Sequence, residues 1–171
     1  MPAAYEQLTE LDGVLARARE LSLRTMIFDV EPLVAWWDTS QESLDQGVAT
    51  IVAELAQLPD VRVVVFATNS ARKPSAIPSI QGVRVMYVAS AGKPLRTAPY
   101  RDLPRPGAVI GDQVATDGLL ARRLGYVFLH WSPRMTGVPL GPRLMQLLGR
   151  LAKPLFSTRK EPPREHRGDS P

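Results

Sequence analysis

The sequence predicts an α/β domain with a central parallel sheet of about five strands. Three observations predict it. Five apolar runs of strand length alternate with stretches of helical periodicity, the order that builds parallel sheets through right-handed crossovers. The runs are nearly continuous rather than alternating with polar residues, as in RTMIFDV and VRVVVFA, which suits strands covered on both faces. The chain of 171 residues fits one domain with a substantial core, and it has no cysteine, so packing rather than disulfides must hold it.

Along the chain, Tyr5, Leu8, Leu11, Leu15 and Ala18 recur at helical spacing and predict an N-terminal helix over residues 4–21. RTMIFDV is the first strand. SQESLDQGVATIVAELAQL opens with a capping pattern around Ser40 and Ser43 and continues as a helix to about Leu58. VRVVVFATNS is the second strand, ending in small polar residues. PSAIPSI is broken by proline and holds at most a short helix. VRVMYVAS and GAVIGD are the third and fourth strands. ATDGLLARRLGY is a helix stopped at Gly125, and YVFLHW is the fifth strand.

Beyond it, Leu144, Leu147, Leu148, Leu151 and Leu155 form an apolar stripe that predicts an amphipathic helix over 142–153. Arg143, Gln146, Arg150 and Lys153 lie off that stripe, so it either packs on the sheet or meets an anionic membrane. The polar, proline-rich end over 157–171 predicts a disordered tail. Residues 1–156 thus read as one domain with its core over 23–132.

The net charge of +4 conceals an asymmetry. Residues 1–60 carry 3 Lys/Arg against 11 Asp/Glu, residues 61–160 carry 16 against 3, and no acid occurs from Gly118 to Lys160. A basic field of that extent favours an anionic partner, or is simply a solvated basic face. Nucleic acid is disfavoured as that partner, because the interleaved aromatics and recognition helix it would need are missing. Absence of cysteine excludes thiolate metal sites and cysteine nucleophiles. ATNSARK lacks the glycine pattern of a phosphate loop, and no Ser–His–Asp arrangement is indicated. His130 at the end of the fifth strand reads as structural. No run of 18 apolar residues occurs, and the acidic N-terminus is unlike a signal peptide, so a cytoplasmic protein is expected, with peripheral membrane contact as an alternative.

Ligands of open parallel sheets bind at the carboxyl ends of the strands. Those ends carry Asp29 and Glu31, then Thr68, Asn69 and Ser70, then Lys93, then Asp112 with Asp117. Each has an ordinary reading alone: an acid after a strand caps a helix, and a lysine in a loop is solvated. Together they suit phosphoryl transfer. A carboxylate can attack phosphorus, a hydroxyl and an ammonium can hold its oxygens, and the remaining acids can hold Mg²⁺, a hard ion that prefers oxygen.

The segments IFDVEPLVAW, VVVFATNS, AGKP and AVIGDQVATDGLLARRLGY, in this order, resemble the haloacid dehalogenase (HAD) superfamily of aspartate-nucleophile phosphatases. The similarity spans about residues 23–132 and is nearest to the capless type IIIA branch of phosphatidylglycerophosphate phosphatase-like proteins. It implies a three-layer Rossmann-like fold without a cap domain; the gaps from Asp29 to Thr68 and from Thr68 to Lys93 are too short for one. It further implies that Asp29 is the nucleophile and a Mg²⁺ ligand. Glu31 stands at the general acid/base position, with its backbone carbonyl on the metal. Thr68 and Asn69 bind the phosphoryl group, Lys93 neutralises nucleophile and phosphate, and Asp112 and Asp117 complete the metal site. An uncapped site implies a large or lipid-linked phosphorylated substrate, and Trp36-Trp37 lies near its expected mouth.

The chain departs from the family in its first motif, where the usual second aspartate is Glu31 and Pro32-Leu33 follow. The extra methylene displaces a proton donor whose efficiency depends on hydrogen-bond reach. Two alternatives to the phosphatase therefore stand: a degenerate HAD-fold protein that binds a ligand or partner without turnover, and a nucleic-acid-binding module using the basic 61–160 surface.

Overall fold

A computed structural model describes residues 5–36 and 38–131. The predicted 142–153 helix, the 157–171 tail and Trp37 lie outside the described residues.

The described residues form one parallel sheet of six strands. β1 (Tyr5–Leu8), β2 (Thr25–Asp29), β3 (Val63–Ala67), β4 (Arg84–Val88), β5 (Gly107–Gly111) and β6 (Val127–Trp131) lie in the order β1-β6-β5-β2-β3-β4. Three α-helices connect them: α1 (Leu11–Glu20), α2 (Gln41–Leu55) and α3 (Leu119–Leu124). The architecture is compatible with the Rossmann-like three-layer fold expected, and the five anticipated strands are β2 to β6.

The sixth strand corrects the reading of residues 4–21 as one helix. Tyr5–Leu8 is extended and pairs with β6, Tyr5 opposite Phe128 and Leu8 opposite Trp131, and α1 begins only at Leu11. Leu8, Leu11 and Leu15 still meet the same core, so helical spacing survives across a break in the helix. The pairing that decides it joins residues more than a hundred positions apart, and such tertiary contacts override local propensity.

Other boundaries follow local rules. Ser40 caps α2, its hydroxyl accepting from the Ser43 N–H at 3.2 Å, and α2 ends at Leu55, three residues before the expected Leu58. PSAIPSI forms no helix, and its last residue makes only a bridge with Val83. The 114–125 segment starts as a π-helical turn (Val114–Gly118) before α3 and stops at Gly125, whose φ of 66° is the left-handed conformation that glycine adopts freely.

The continuous apolar strands are explained by a core on both faces. Along β2, Met26 and Phe28 face α1 and α2, while Ile27 faces the layer of α3 with Tyr100, Leu103 and Tyr126. The first face is packed by Val14, Leu15 and Ala18 of α1 with Leu44, Val48, Ile51, Val52 and Leu55 of α2. Burying one such large side chain contributes about 1.5–3 kcal/mol, and Phe28 and Phe66 are wholly buried in contact at 6.0 Å between ring centres. Among the described residues, no helix is long and apolar enough to cross a membrane.

Candidate functional site

Strand order runs outward from β2 in both directions: β2 to β3 to β4 on one side, β5 to β6 on the other. The crevice between the carboxyl ends of β2 and β5 is therefore the switch point where open sheets bind ligands. Asp29 is the last residue of β2 and Asp112 follows the last residue of β5. Asp117 comes from the π-helical turn immediately after, which swings its carboxylate back over the end of β5. Donor oxygens of Asp29, Asp112 and Asp117 lie within 4.8 Å of one another, and all three residues are buried.

Gly111 makes this approach feasible. A Cβ there would stand 2.3 Å from Asp117 Oδ2, so the requirement is for space, with φ playing no part. Lys93 reaches in from the loop after β4, its ammonium 2.7 Å from Asp29 Oδ1 and 2.8 Å from Asp117 Oδ1. Asp117 Oδ2 also accepts the Gln113 N–H at 3.3 Å. The Asp112 carbonyl is 3.0 Å from His130 Nε2, so His130 supports the backbone of this turn from β6.

Burial raises the Asp29 pKa well above the ordinary carboxylate range, and repulsion from Asp117 adds to it, with Lys93 opposing both. For Lys93, burial disfavours the ammonium, but Asp117 and Asp29 outweigh it and hold the lysine charged. The group thus holds three buried carboxylates and one ammonium, which pairs with Asp29 and Asp117. The donor set is all oxygen and compact, and its surplus negative charge disfavours ionised Asp29. These features fit a hard divalent cation held by Asp29, Asp112 and Asp117, and the fit does not by itself identify which ion.

On the other side of Asp29, Thr68 follows β3 and is wholly buried. Its hydroxyl donates to Glu31 Oε2 at 2.5 Å, accepts the Ser70 N–H at 2.9 Å and lies 2.9 Å from Ser70 Oγ. Ser70 Oγ donates to Glu31 Oε1 at 3.3 Å. The Glu31 carboxylate is therefore turned toward the hydroxyls at the end of β3 and stands outside the three-aspartate group. After Glu31 the chain turns at once, the N–H groups of Val34 and Ala35 both donating to the Val30 carbonyl at 2.8 and 3.1 Å. Asn69 acts on backbone: its carboxamide accepts the Lys93 N–H at 2.8 Å and donates to the Lys93 carbonyl at 3.2 Å, clamping the loop that delivers the ammonium.

All the site residues expected from the sequence are thus gathered at one end of the sheet. A pocket of about 340 Å³ is lined by Asp29, Glu31, Thr68, Asn69, Lys93 and others, including Ser70, Gln113 and Thr116. Sequence reasoning noted Ser70 at a strand end without giving it a role, and only the fold brings Ser70 onto Glu31. It missed Arg72 altogether. That guanidinium donates to the carbonyls of Trp36, Thr39 and Ser40 at 2.7–2.8 Å, strapping the loop after β2 to the loop after β3. No local pattern announces a strut between segments more than thirty residues apart.

Fold and site together define a parallel α/β protein with a carboxylate cluster, able to hold a cation, at its switch point. In comparisons with family models, curated proteins and solved structures, nothing matches this chain.

Proposed function

We propose that the protein is a Mg²⁺-dependent phosphomonoester hydrolase of the capless HAD type, acting through an aspartyl-phosphate on Asp29. The observation that carries this reading is the convergence of Asp29, Asp112 and Asp117 with Lys93 at one switch point. In the first step an Asp29 carboxylate oxygen attacks phosphorus and the ester P–O bond breaks. Glu31, when protonated, gives its proton to the departing alkoxide oxygen. In the second step Glu31, now a carboxylate, takes a proton from water, whose oxygen attacks the phosphorus and releases inorganic phosphate and Asp29. Lys93 keeps Asp29 oriented and offsets the charge that accumulates on the phosphoryl oxygens, which the Thr68 hydroxyl also contacts. Bound Mg²⁺ supplies further positive charge at the three aspartates.

A large or lipid-linked phosphate such as phosphatidylglycerophosphate suits the site. Only a loop and α2 lie between β2 and β3, and only a loop lies between β3 and β4, so no inserted domain roofs the pocket there. The reading implies a cytoplasmic site of action with substrate presented from a membrane surface.

One observation favours a second reading, binding without turnover. Thr68 and Glu31, the phosphate-binding hydroxyl and the proton donor, are hydrogen-bonded to each other. Hydrolysis of p-nitrophenyl phosphate and phosphatidylglycerophosphate with Mg²⁺ separates the two. The phosphatase reading expects activity that Asp29→Asn abolishes. Equal rates for the two proteins sink it, and cation or phosphate binding with no rate above background in wild type supports the binding-only protein.

A further inference from the structure

On the α1/α2 face of the sheet lies a second concavity, of about 470 Å³, that the proposed chemistry does not use. Leu11 at the start of α1, Leu33 and Val34 after β2, Ile51 of α2 and Trp131 at the end of β6 form its apolar walls, and Thr50 stands on its lip. Its floor is built deliberately: Val34 lies so close to α2 that a Cβ at Gly47 would meet the Val34 carbonyl oxygen. Leu11, Leu33 and Val34 are only half-buried, although they pack against the core.

Two facts indicate what covers this groove. The first is the stretch of sequence that leaves the groove at Trp131. Trp131 is itself a wall of the groove, its indole N–H donating to the Thr9 carbonyl at 3.3 Å, and 40 residues follow it. They include the leucine stripe Leu144, Leu147, Leu148, Leu151 and Leu155, reached through ten residues that could span about 33 Å.

The second fact is charge. The helices flanking the groove belong to the acidic part of the chain. Asp12 adjoins Leu11, Glu42 adjoins Ser43 at the start of the groove face of α2, and Glu54 follows that face by one turn, while Arg17 on α1 is paired with Glu6 and Glu20. The leucine segment carries Arg143, Arg150 and Lys153 within a run that has no acid from Gly118 to Lys160. An acidic rim repels an anionic membrane and attracts this segment.

We propose that residues 142–155 fold back onto the groove between α1 and α2 of the same chain, leucines inward and basic side chains against the acidic rim. Three of the 16 Lys/Arg of residues 61–160 then meet the acidic part of the same chain. The short tether keeps the segment at high effective concentration over its groove. The idea is independent of the phosphatase reading.

The absence of native cysteine permits a direct test in the full chain. Thr50→Cys on the groove lip and Gln146→Cys beside the leucine stripe are combined and treated with a short bifunctional maleimide at low protein concentration. The expected product is an internally cross-linked monomer. The pair Arg123→Cys with Gln146→Cys, which places one thiol on the exposed side of α3 across the sheet from the groove, should cross-link far less. Adding Leu147→Glu and Leu151→Glu to the first pair should lower its cross-linking by about tenfold or more, since two buried leucines are lost. Far-UV circular dichroism confirms that each variant is folded. Equal cross-linking of both pairs, or none in a folded first pair, overturns the proposal. A cross-linked dimer overturns it in favour of a second copy. Co-sedimentation with phosphatidylglycerol-containing vesicles, accompanied by loss of the internal cross-link, overturns it in favour of the membrane.

Discussion

Alanine at position 111 would place a methyl group 2.3 Å from Asp117 Oδ2 and 2.4 Å from its Cγ. Restoring an ordinary contact requires the Asp117 carboxylate to retreat by about 1 Å, or β5 to shift by as much. Neither is easy. Asp117 is wholly buried, Oδ1 is held by Lys93 at 2.8 Å, and β5 is paired on both sides, with β2 and β6. Overpacking of this kind costs about 1–3 kcal/mol, a fall in Tm of about 3–10 °C for a chain of this size. The effect on the cation should be sharper, because Mg²⁺ demands ligand distances near 2.1 Å and tolerates little displacement. Affinity should drop by about tenfold or more, and hydrolysis by about a hundredfold. The assays are thermal unfolding with and without MgCl₂, calorimetric titration with Mg²⁺ or Mn²⁺, and phosphate release. Gly13→Ala is the control, since its Cβ meets only Leu8 Cδ2 at 3.4 Å in helix α1 and should be neutral or slightly stabilising. If Gly111→Ala melts and binds cation like wild type, Asp117 does not sit over the end of β5, and the assignment of the cluster fails.

Three further outcomes follow from the same geometry. Lys93→Met leaves Asp29 and Asp117 facing each other without the ammonium and should cost about 3–5 kcal/mol in urea unfolding, partly recovered by Mg²⁺; no loss of stability would show the pair is not buried as described. Glu31→Gln preserves size but removes proton transfer, so kcat should fall by about 10²–10⁴-fold with a smaller change in KM, and unchanged kcat would remove Glu31 from the chemistry. The pH dependence should carry the mark of Asp29, whose raised pKa means the folded state binds its proton more tightly than the unfolded state does. Without metal, the stability of wild type relative to Asp29→Asn should therefore rise as pH falls from the raised folded pKa toward the ordinary carboxylate value of about 3.9, and saturating Mg²⁺ should flatten that slope. A relative stability that falls over this window contradicts the raised pKa.

Much of the fold was legible because its signals are local. Apolar runs such as Met26–Phe28 and Val63–Ala67 must be covered on both faces, and they are. Ser40 at the start of α2 and Gly125 at the end of α3 are short-range signals with direct stereochemical causes. Where two local signals coincide, as at residues 5–20, periodicity could not distinguish a strand plus helix from one longer helix.

The candidate site divides in the same way. The sequence alone determined that carboxylates, a threonine and a lysine fall at successive strand ends, because a parallel α/β order sends every carboxyl end to one edge. Only the tertiary structure decided that Asp29 and Asp117 share Lys93, that Gly111 must be small, and that Glu31 turns to Thr68 and Ser70. It alone decided that Tyr5–Leu8 is a strand. Spacing along a chain specifies which residues reach an edge of a sheet. Where a side chain points once there depends on contacts across dozens of residues, which no local period encodes.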